Sequence, residues 1–272
     1  MQPQLRPLSL GEVLDRTFQF YRKEFLLFVG IAAIPQIIVL AFQILNLAMR
    51  GSSSAAAVAV AAIGILVVLI VNIVATAVSQ AATSAALSDI YLGRPTSIGA
   101  AFDKIRGSIG RMTGIVFGLG LLIGIGFICL IIPGIYLALI WSLAIPAAVI
   151  EDLDFAECRD RSKTLTEGAL GRIFVIYLLV MAVTYGVVLG VGAVVGGLGL
   201  AILGKAAIGS LAFNALTQIT NFIAATLVGP LGMIAFTIAY YDQRVRKEGF
   251  DIQFMMQGNQ QAAAAAGSGP AQ

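Results

Sequence analysis

The chain has 272 residues, of which 59% are hydrophobic and 11% charged, with a net charge of +3. Soluble domains run nearer a quarter charged, and a soluble fold of this size has no way to hide so much apolar surface, so the excess must face lipid. There is no histidine, which excludes histidine acid–base catalysis, HExxH metalloprotease chemistry and a Ser–His protease. A Walker A loop is absent as well.

In chain order, residues 1–20 are polar and mixed, without an apolar core and small-residue cleavage site, so no cleavable signal peptide is expected. Ser9-Leu-Gly-Glu12 fits a capping box that opens a helix. Leu10, Val13, Leu14, Phe18 and Tyr21 then share one face, with Asp15, Arg16, Arg22 and Lys23 elsewhere. Five charge-free stretches follow: 25–49, 51–88, 112–150, 173–204 and 206–241. About 20 residues suffice to cross the hydrocarbon. Stretch 112–150 has 39 residues, about 58 Å as one helix, nearly twice the membrane. Pro133-Gly134 near its middle signals a turn, so it divides into two spans. Stretch 51–88 opens on Gly51 and Ser52–Ser54, lacks internal proline, and is read as one long helix.

The resulting fold class is an all-α integral membrane protein. Six spans are expected, about 25–48, 57–88, 113–131, 134–150, 173–200 and 208–241, in one polytopic domain over 1–251. Residues 252–272, mostly Gln, Ala, Gly and Ser, read as a disordered tail. With both termini in the cytoplasm, 15 of the 17 basic residues and all 14 acidic ones fall on the cytoplasmic side, and only Arg50 and Lys205 lie outside. The two cysteines, Cys129 and Cys158, fall in different surroundings, and no disulfide between them is expected.

Three cytoplasmic segments each precede a pair of spans: the first at residues 9–23, the second carrying Ile98, Phe102, Ile105 and Ile109, the third running from Phe155 through Arg161 to Leu170. They read as about three amphipathic interfacial helices. These either anchor the bundle in the headgroups or form a surface for anionic lipid or a partner. Within the spans, Asn72, Thr76, Gln80, Ser84 and Ser88 recur every four residues, and Asn214, Thr217, Gln218 and Asn221 share a face of the last span. They serve either interhelical hydrogen bonding or a hydrated cavity between spans one, two and six. Gly114/Gly118, Gly120/Gly124, Gly186/Gly190 and Gly192/Gly196 form GxxxG pairs, which predict close approach of helices within the monomer or, as the lesser reading, a dimer face. Pro35, Pro146 and Pro230 lie inside spans and predict kinks.

The opening Arg6-Pro-Leu-Ser-Leu-Gly-Glu-Val-Leu-Asp-Arg-Thr-Phe-Gln-Phe-Tyr-Arg-Lys-Glu-Phe25 and the closing Tyr240-Tyr-Asp-Gln-Arg-Val-Arg-Lys-Glu-Gly-Phe-Asp251, with Ile132-Pro-Gly-Ile-Tyr136 and Trp141 between them, resemble the bacterial glycerophosphoryl diester phosphodiesterase membrane-domain family. The resemblance implies the membrane module alone, in a bacterial cytoplasmic membrane. The soluble phosphodiesterase domain found in other members uses catalytic histidines, and this chain has none.

The expectation is a non-enzymatic module, without cofactor, metal or nucleic acid. It would organise membrane lipid or a protein partner through a charged face carrying Asp15, Arg16, Asp160, Arg161, Asp242, Arg244 and Arg246. Asp242 is expected to clasp Arg16 or Arg161. The alternative is a transporter or lipid-translocating protein with a cavity lined by Asn72, Thr76, Gln80, Asn214, Gln218 and Asn221. An enzyme acting on lipid headgroups through Asp15, Asp160 and Asp242 comes third.

Overall fold

The structure, a computed structural model, describes residues 6–49, 55–204, 208 and 210–250. Arg50, Lys205 and the tail 252–272 lie outside these. The described chain is helical, without a strand among the described residues: α1 Leu10–Lys23, α2 Phe25–Ala48, α3 Ala55–Tyr91, α4 Ile98–Ile105, α5 Ile109–Cys129, α6 Ile131–Ile140, α7 Ala144–Ile150, α8 Phe155–Thr166, α9 Leu170–Leu203 and α10 Leu211–Glu248. Among the described residues, six stretches are long and apolar enough to cross a membrane: Phe25–Ala48, Val58–Tyr91, Ile98–Cys129, Ile131–Ile150, Leu170–Ile202 and Leu211–Glu248. The protein is thus an all-helical, multi-pass membrane protein.

Local chemistry sets the helix ends. The Glu12 N–H donates to Ser9 Oγ at 3.2 Å and the Ser9 N–H donates to the Glu12 carboxylate at 2.6 Å, closing the capping box of α1. Ser97 and Ser210 cap α4 and α10 in the same way, each accepting from a backbone N–H at 3.2 Å. Gly249 ends α10 in the left-handed conformation, at φ +61°. The turn between the third and fourth spans falls at Leu130, in extended conformation, three residues before Pro133. Pro133 therefore occupies the first turn of α6, where its missing N–H costs nothing. Gly134 packs on the preceding helix: a Cβ there would meet the Phe127 ring at 2.5 Å, and one at Gly126 would meet the Gly134 backbone at 3.1 Å. The α5–α6 hairpin closes because both residues are glycine.

The fourth span is broken, not one helix. Residues 141–143 form a turn between α6 and α7, which frees backbone groups that hydrocarbon cannot satisfy. Ser162 of α8 supplies both partners: its hydroxyl donates to the Ile140 carbonyl at 2.7 Å and accepts from the Leu143 N–H at 3.2 Å. Thr166 adds a longer contact to the Ile140 carbonyl, 3.4 Å. Helices α2 and α10 run on through Pro35 and Pro230, and Pro146 sits in the first turn of α7.

The GxxxG expectation is corrected for most pairs. A Cβ at Gly114, Gly120, Gly124, Gly186, Gly190, Gly192 or Gly196 would meet nothing within 4 Å, and Gly118 abuts the Phe155 ring of α8 rather than another span. The reason is where the core lies. Its buried residues, among them Leu8, Phe28, Ile31, Leu87, Leu143, Leu165, Ile173, Ile234, Tyr240 and Tyr241, gather towards one end of the bundle. Towards the other end the spans expose large apolar side chains, such as Ile63, Leu66, Ile128, Ile132, Leu189 and Ile202, as expected of a lipid-facing surface. Helix α10 is central: it packs on α1, α2, α3, α7, α8 and α9.

Candidate functional site: the charged end of the bundle

Ion pairs and hydrogen bonds join the segment before α1, the α3–α4–α5 region, the α7–α8–α9 region and the end of α10. All the charged segments therefore meet at one end. Three clusters do this.

The first centres on Asp242, which is 1% exposed. Its carboxylate accepts from the Leu8 backbone N–H at 2.7 Å and pairs with Arg172 and Arg246, each at 3.0 Å. Both guanidinium groups also donate to the Leu8 carbonyl. One carboxylate and two arginines thus hold both polar groups of Leu8 and pin the entry to α1 against α9 and α10.

The second centres on Arg161. It pairs with Glu151 at 2.8 Å and also with Glu248, and Arg244 reaches Glu248 at 3.2 Å. Tyr240 donates its hydroxyl to Glu151. The Glu248 hydrogen bonds, followed by those of Glu151, hold the Arg161 guanidinium above its ordinary pKa despite partial burial. The arginine ties α8 to the end of α10 and to the segment after α7.

The expected clasp is therefore corrected. Asp242 pairs with Arg172 and Arg246, Arg161 pairs with Glu151 and Glu248, and Arg16 donates to the Tyr91 hydroxyl at 3.3 Å. Helix geometry is the cause. Tyr240, Arg244 and Glu248 follow at i, i+4 along one face of α10, whereas Asp242 and Arg246 lie about 200° away around the axis. One face cannot serve both arginines. Arg172 was missed because it stands at the start of a span, where its charge reads as an ordinary flank.

The third cluster lines a cavity of about 180 Å³ bounded by the ends of α3, α5 and α7 and by α4. Asp89, 4% exposed, takes Lys104 across both carboxylate oxygens. Arg111 donates to the Asp152 carbonyl at 3.2 Å and pairs with its carboxylate. Arg94 also lines the space, and its guanidinium makes no hydrogen bond or ion pair among the described residues. The backbone at Asp152 has a left-handed φ of +57°.

Of the other expected site residues, Asp15 and Asp160 are exposed and make no ion pair among the described residues. Among the described residues, the polar stripe of α3 hydrogen-bonds α10 at the charged end of the bundle. The Thr237 hydroxyl donates to Ser84 at 3.2 Å, and Ser88 shares a 2.7 Å hydrogen bond with Tyr241. Both pairs are 153 residues apart, so α3 and α10 run parallel in fixed register. Carried outward at that offset, Asn72, Thr76 and Gln80 come level with Ala225, Gly229 and Met233. Asn214, Gln218 and Asn221 lie further out. Asn72, Thr76, Gln80 and Gln218 are half-buried, their side chains make no hydrogen bond among the described residues, and the Gln80 side-chain oxygen Oε1 is enclosed without a partner. Asn214 donates to the Ser210 carbonyl of its own helix at 3.0 Å, and Asn221 is exposed.

Cys158 is buried, and burial pushes its thiol up to about 11; Cys129 is exposed. No group of three carboxylate or thiolate side chains able to share a metal ion occurs among the described residues. Comparison of the chain with family models, curated proteins and solved structures finds no match.

Proposed function

We propose that this protein is a non-enzymatic membrane module that organises anionic lipid, or a partner docked at the same level, through its charged end. The observation that carries this is the convergence of that end: Asp242 and Arg161 each join segments far apart in sequence, and Asp89 ties α3 to α4 beside them in one ion-paired platform. A lone surface pair contributes little. Interlocked pairs at the mouth of an apolar bundle hold charged groups in fixed positions at headgroup depth. In this reading both termini lie in the cytoplasm, α1, α4 and α8 lie in the interface, and the membrane is a bacterial cytoplasmic one. The excess of Lys and Arg in those segments supports that orientation. Since no family model matches, the proposal rests on this geometry more than on the likeness of the terminal motifs to a known membrane domain.

Native mass spectrometry of the purified protein, with identification of bound lipid, is the test. The proposal expects anionic lipid at fixed stoichiometry, weakened by charge-removing substitutions at the charged end such as Arg246→Gln. A second reading, a hydrated path between α2, α3 and α10, is favoured by the unbonded amides of Asn72, Gln80 and Gln218. Loss of a ligand on Asn72→Leu or Gln218→Leu with retention in Arg246→Gln would replace the first reading by the second.

A further inference from the structure

The cavity at the charged end has features that its internal ion pairs do not use. Its lining brings three cations, Arg94, Lys104 and Arg111, against two carboxylates, Asp89 and Asp152, and Arg111 also lies 3.8 Å from the Asp154 carboxylate. Both of the other cations are ion-paired, whereas the Arg94 guanidinium has no hydrogen bond or ion pair among the described residues. Arg111 is unfinished as well. Its terminal nitrogens are bonded to Asp152, but its Nε is enclosed and without a partner. The Asp152 side chain is 85% exposed, so its pairing with Arg111 is solvent-screened and open to exchange. Asp89, by contrast, is buried and engaged by Lys104 through both of its oxygens.

We infer that this cavity binds a phosphate group, and so deepens the reading given under Proposed function, on which it rests. At about 30 Å³ per water molecule, 180 Å³ holds about six non-hydrogen atoms, enough for one phosphate and the start of its substituent. A phosphate offers oxygens to three donors at once: the whole fork of Arg94, the terminal nitrogens of Arg111 in exchange for the exposed Asp152, and the remaining proton of Lys104. Arginine suits this role because its planar fork matches tetrahedral oxyanions. The lining excludes a metal cation, which would face three like charges. The same phosphate can reach the cavity from two sources. It can sit on a lipid head, since α3, α5 and α7 are ends of membrane spans, or it can be a soluble phosphate.

The experiment uses the full chain in phosphatidylcholine nanodiscs, titrated with inorganic phosphate by calorimetry, and a parallel preparation in which part of the lipid is phosphatidic acid. Saturable phosphate binding is expected. Arg94→Gln should weaken it by about tenfold or more, the loss of a charge-assisted hydrogen bond. Arg111→Lys, which keeps the charge but lacks the planar fork, should weaken it similarly. Lys163→Gln removes an equal charge from an exposed position outside the cavity and should leave it unchanged. Arg94 is exposed and unpaired, so its replacement leaves folding intact. If phosphatidic acid in the disc competes with free phosphate, the cavity takes a lipid head; if it does not, the cavity takes the soluble anion. Either result supports the site. Absence of phosphate binding together with retention of phosphatidic acid that is indifferent to Arg94 would overturn it. So would equal losses in Arg94→Gln and Lys163→Gln, which would leave the charged-platform reading standing as diffuse attraction. Absence of any anion-dependent lipid retention would bring down both.

Discussion

Replacing Asp242 by asparagine removes one charge and almost no volume. In the native protein that carboxylate sits between Arg172, whose side chain is 19% exposed, and Arg246, at 37%, while accepting from the Leu8 N–H. Removing one partner of a buried ion pair costs about 3–5 kcal/mol. Here the low end applies, because asparagine keeps an acceptor for the Leu8 N–H and both arginines keep the Leu8 carbonyl, so the expected loss is about 3 kcal/mol. At about 2–4 °C per kcal/mol for a chain of this size, the melting temperature in detergent should fall by about 6–12 °C. Hydrogen exchange at the Leu8 amide should accelerate, since the entry to α1 loses its anchor. Combining Asp242→Asn with Arg172→Gln should cost less than the sum of the two singles by about 1 kcal/mol or more, because they share one interaction. Strictly additive single and double substitutions, or a melting temperature unmoved by Asp242→Asn, would refute the claim that this carboxylate ties the chain's start to its end.

Three further expectations concern other parts of the fold. Ser162→Ala should destabilise by about 2 kcal/mol, since it orphans the Leu143 N–H and leaves the Ile140 carbonyl only its long contact from Thr166; Ser162→Thr, which retains the hydroxyl, should recover part of the loss in a thermal melt. With the proposed orientation, a membrane-impermeant maleimide added to intact cells should label the exposed Cys129, whereas Cys158, buried and with its thiol raised to about 11, should react only after unfolding; the reverse pattern would invert the topology. Glu12 is held down to about 2, first by the backbone hydrogen bond from Ser9 and then by Arg6. A carboxylate depressed in the folded state lends its contribution above its ordinary value of about 4.3 and loses it as the pH falls towards about 2. Amide exchange at the start of α1 should therefore rise across that acid window and lose its pH dependence in Glu12→Gln.

Much of this molecule was legible before its structure. The capping box at Ser9 and Glu12 depends on a spacing of three residues, and local spacing is visible in a sequence. The six apolar stretches follow from hydrocarbon thickness and helical rise, which act on each stretch separately. The division of 112–150 rested on length and on Pro133-Gly134, so the number of spans came out, and the turn was placed just after 131 where the structure has it at Leu130. Leu130 turns because Gly126 and Gly134 let two helices meet, a contact between residues eight apart that no single-helix pattern encodes.

The polar groups show the limit more sharply. Composition and charge placement by themselves determined a membrane-embedded helical bundle with its charges gathered in a few segments, because lipid penalises each buried charge wherever it stands. Only the tertiary structure decided which charge meets which. Asp242 finds Arg172 rather than Arg161 because the rotation of α10 about its axis sends residues 242 and 246 one way and residues 240, 244 and 248 the other. The break in the fourth span, stitched by Ser162 from another helix, and the cavity with its unpaired Arg94 arise in the same manner. Each depends on how separate helices are rotated and shifted against one another, and that is set by packing over the whole bundle, not by any one segment of the chain.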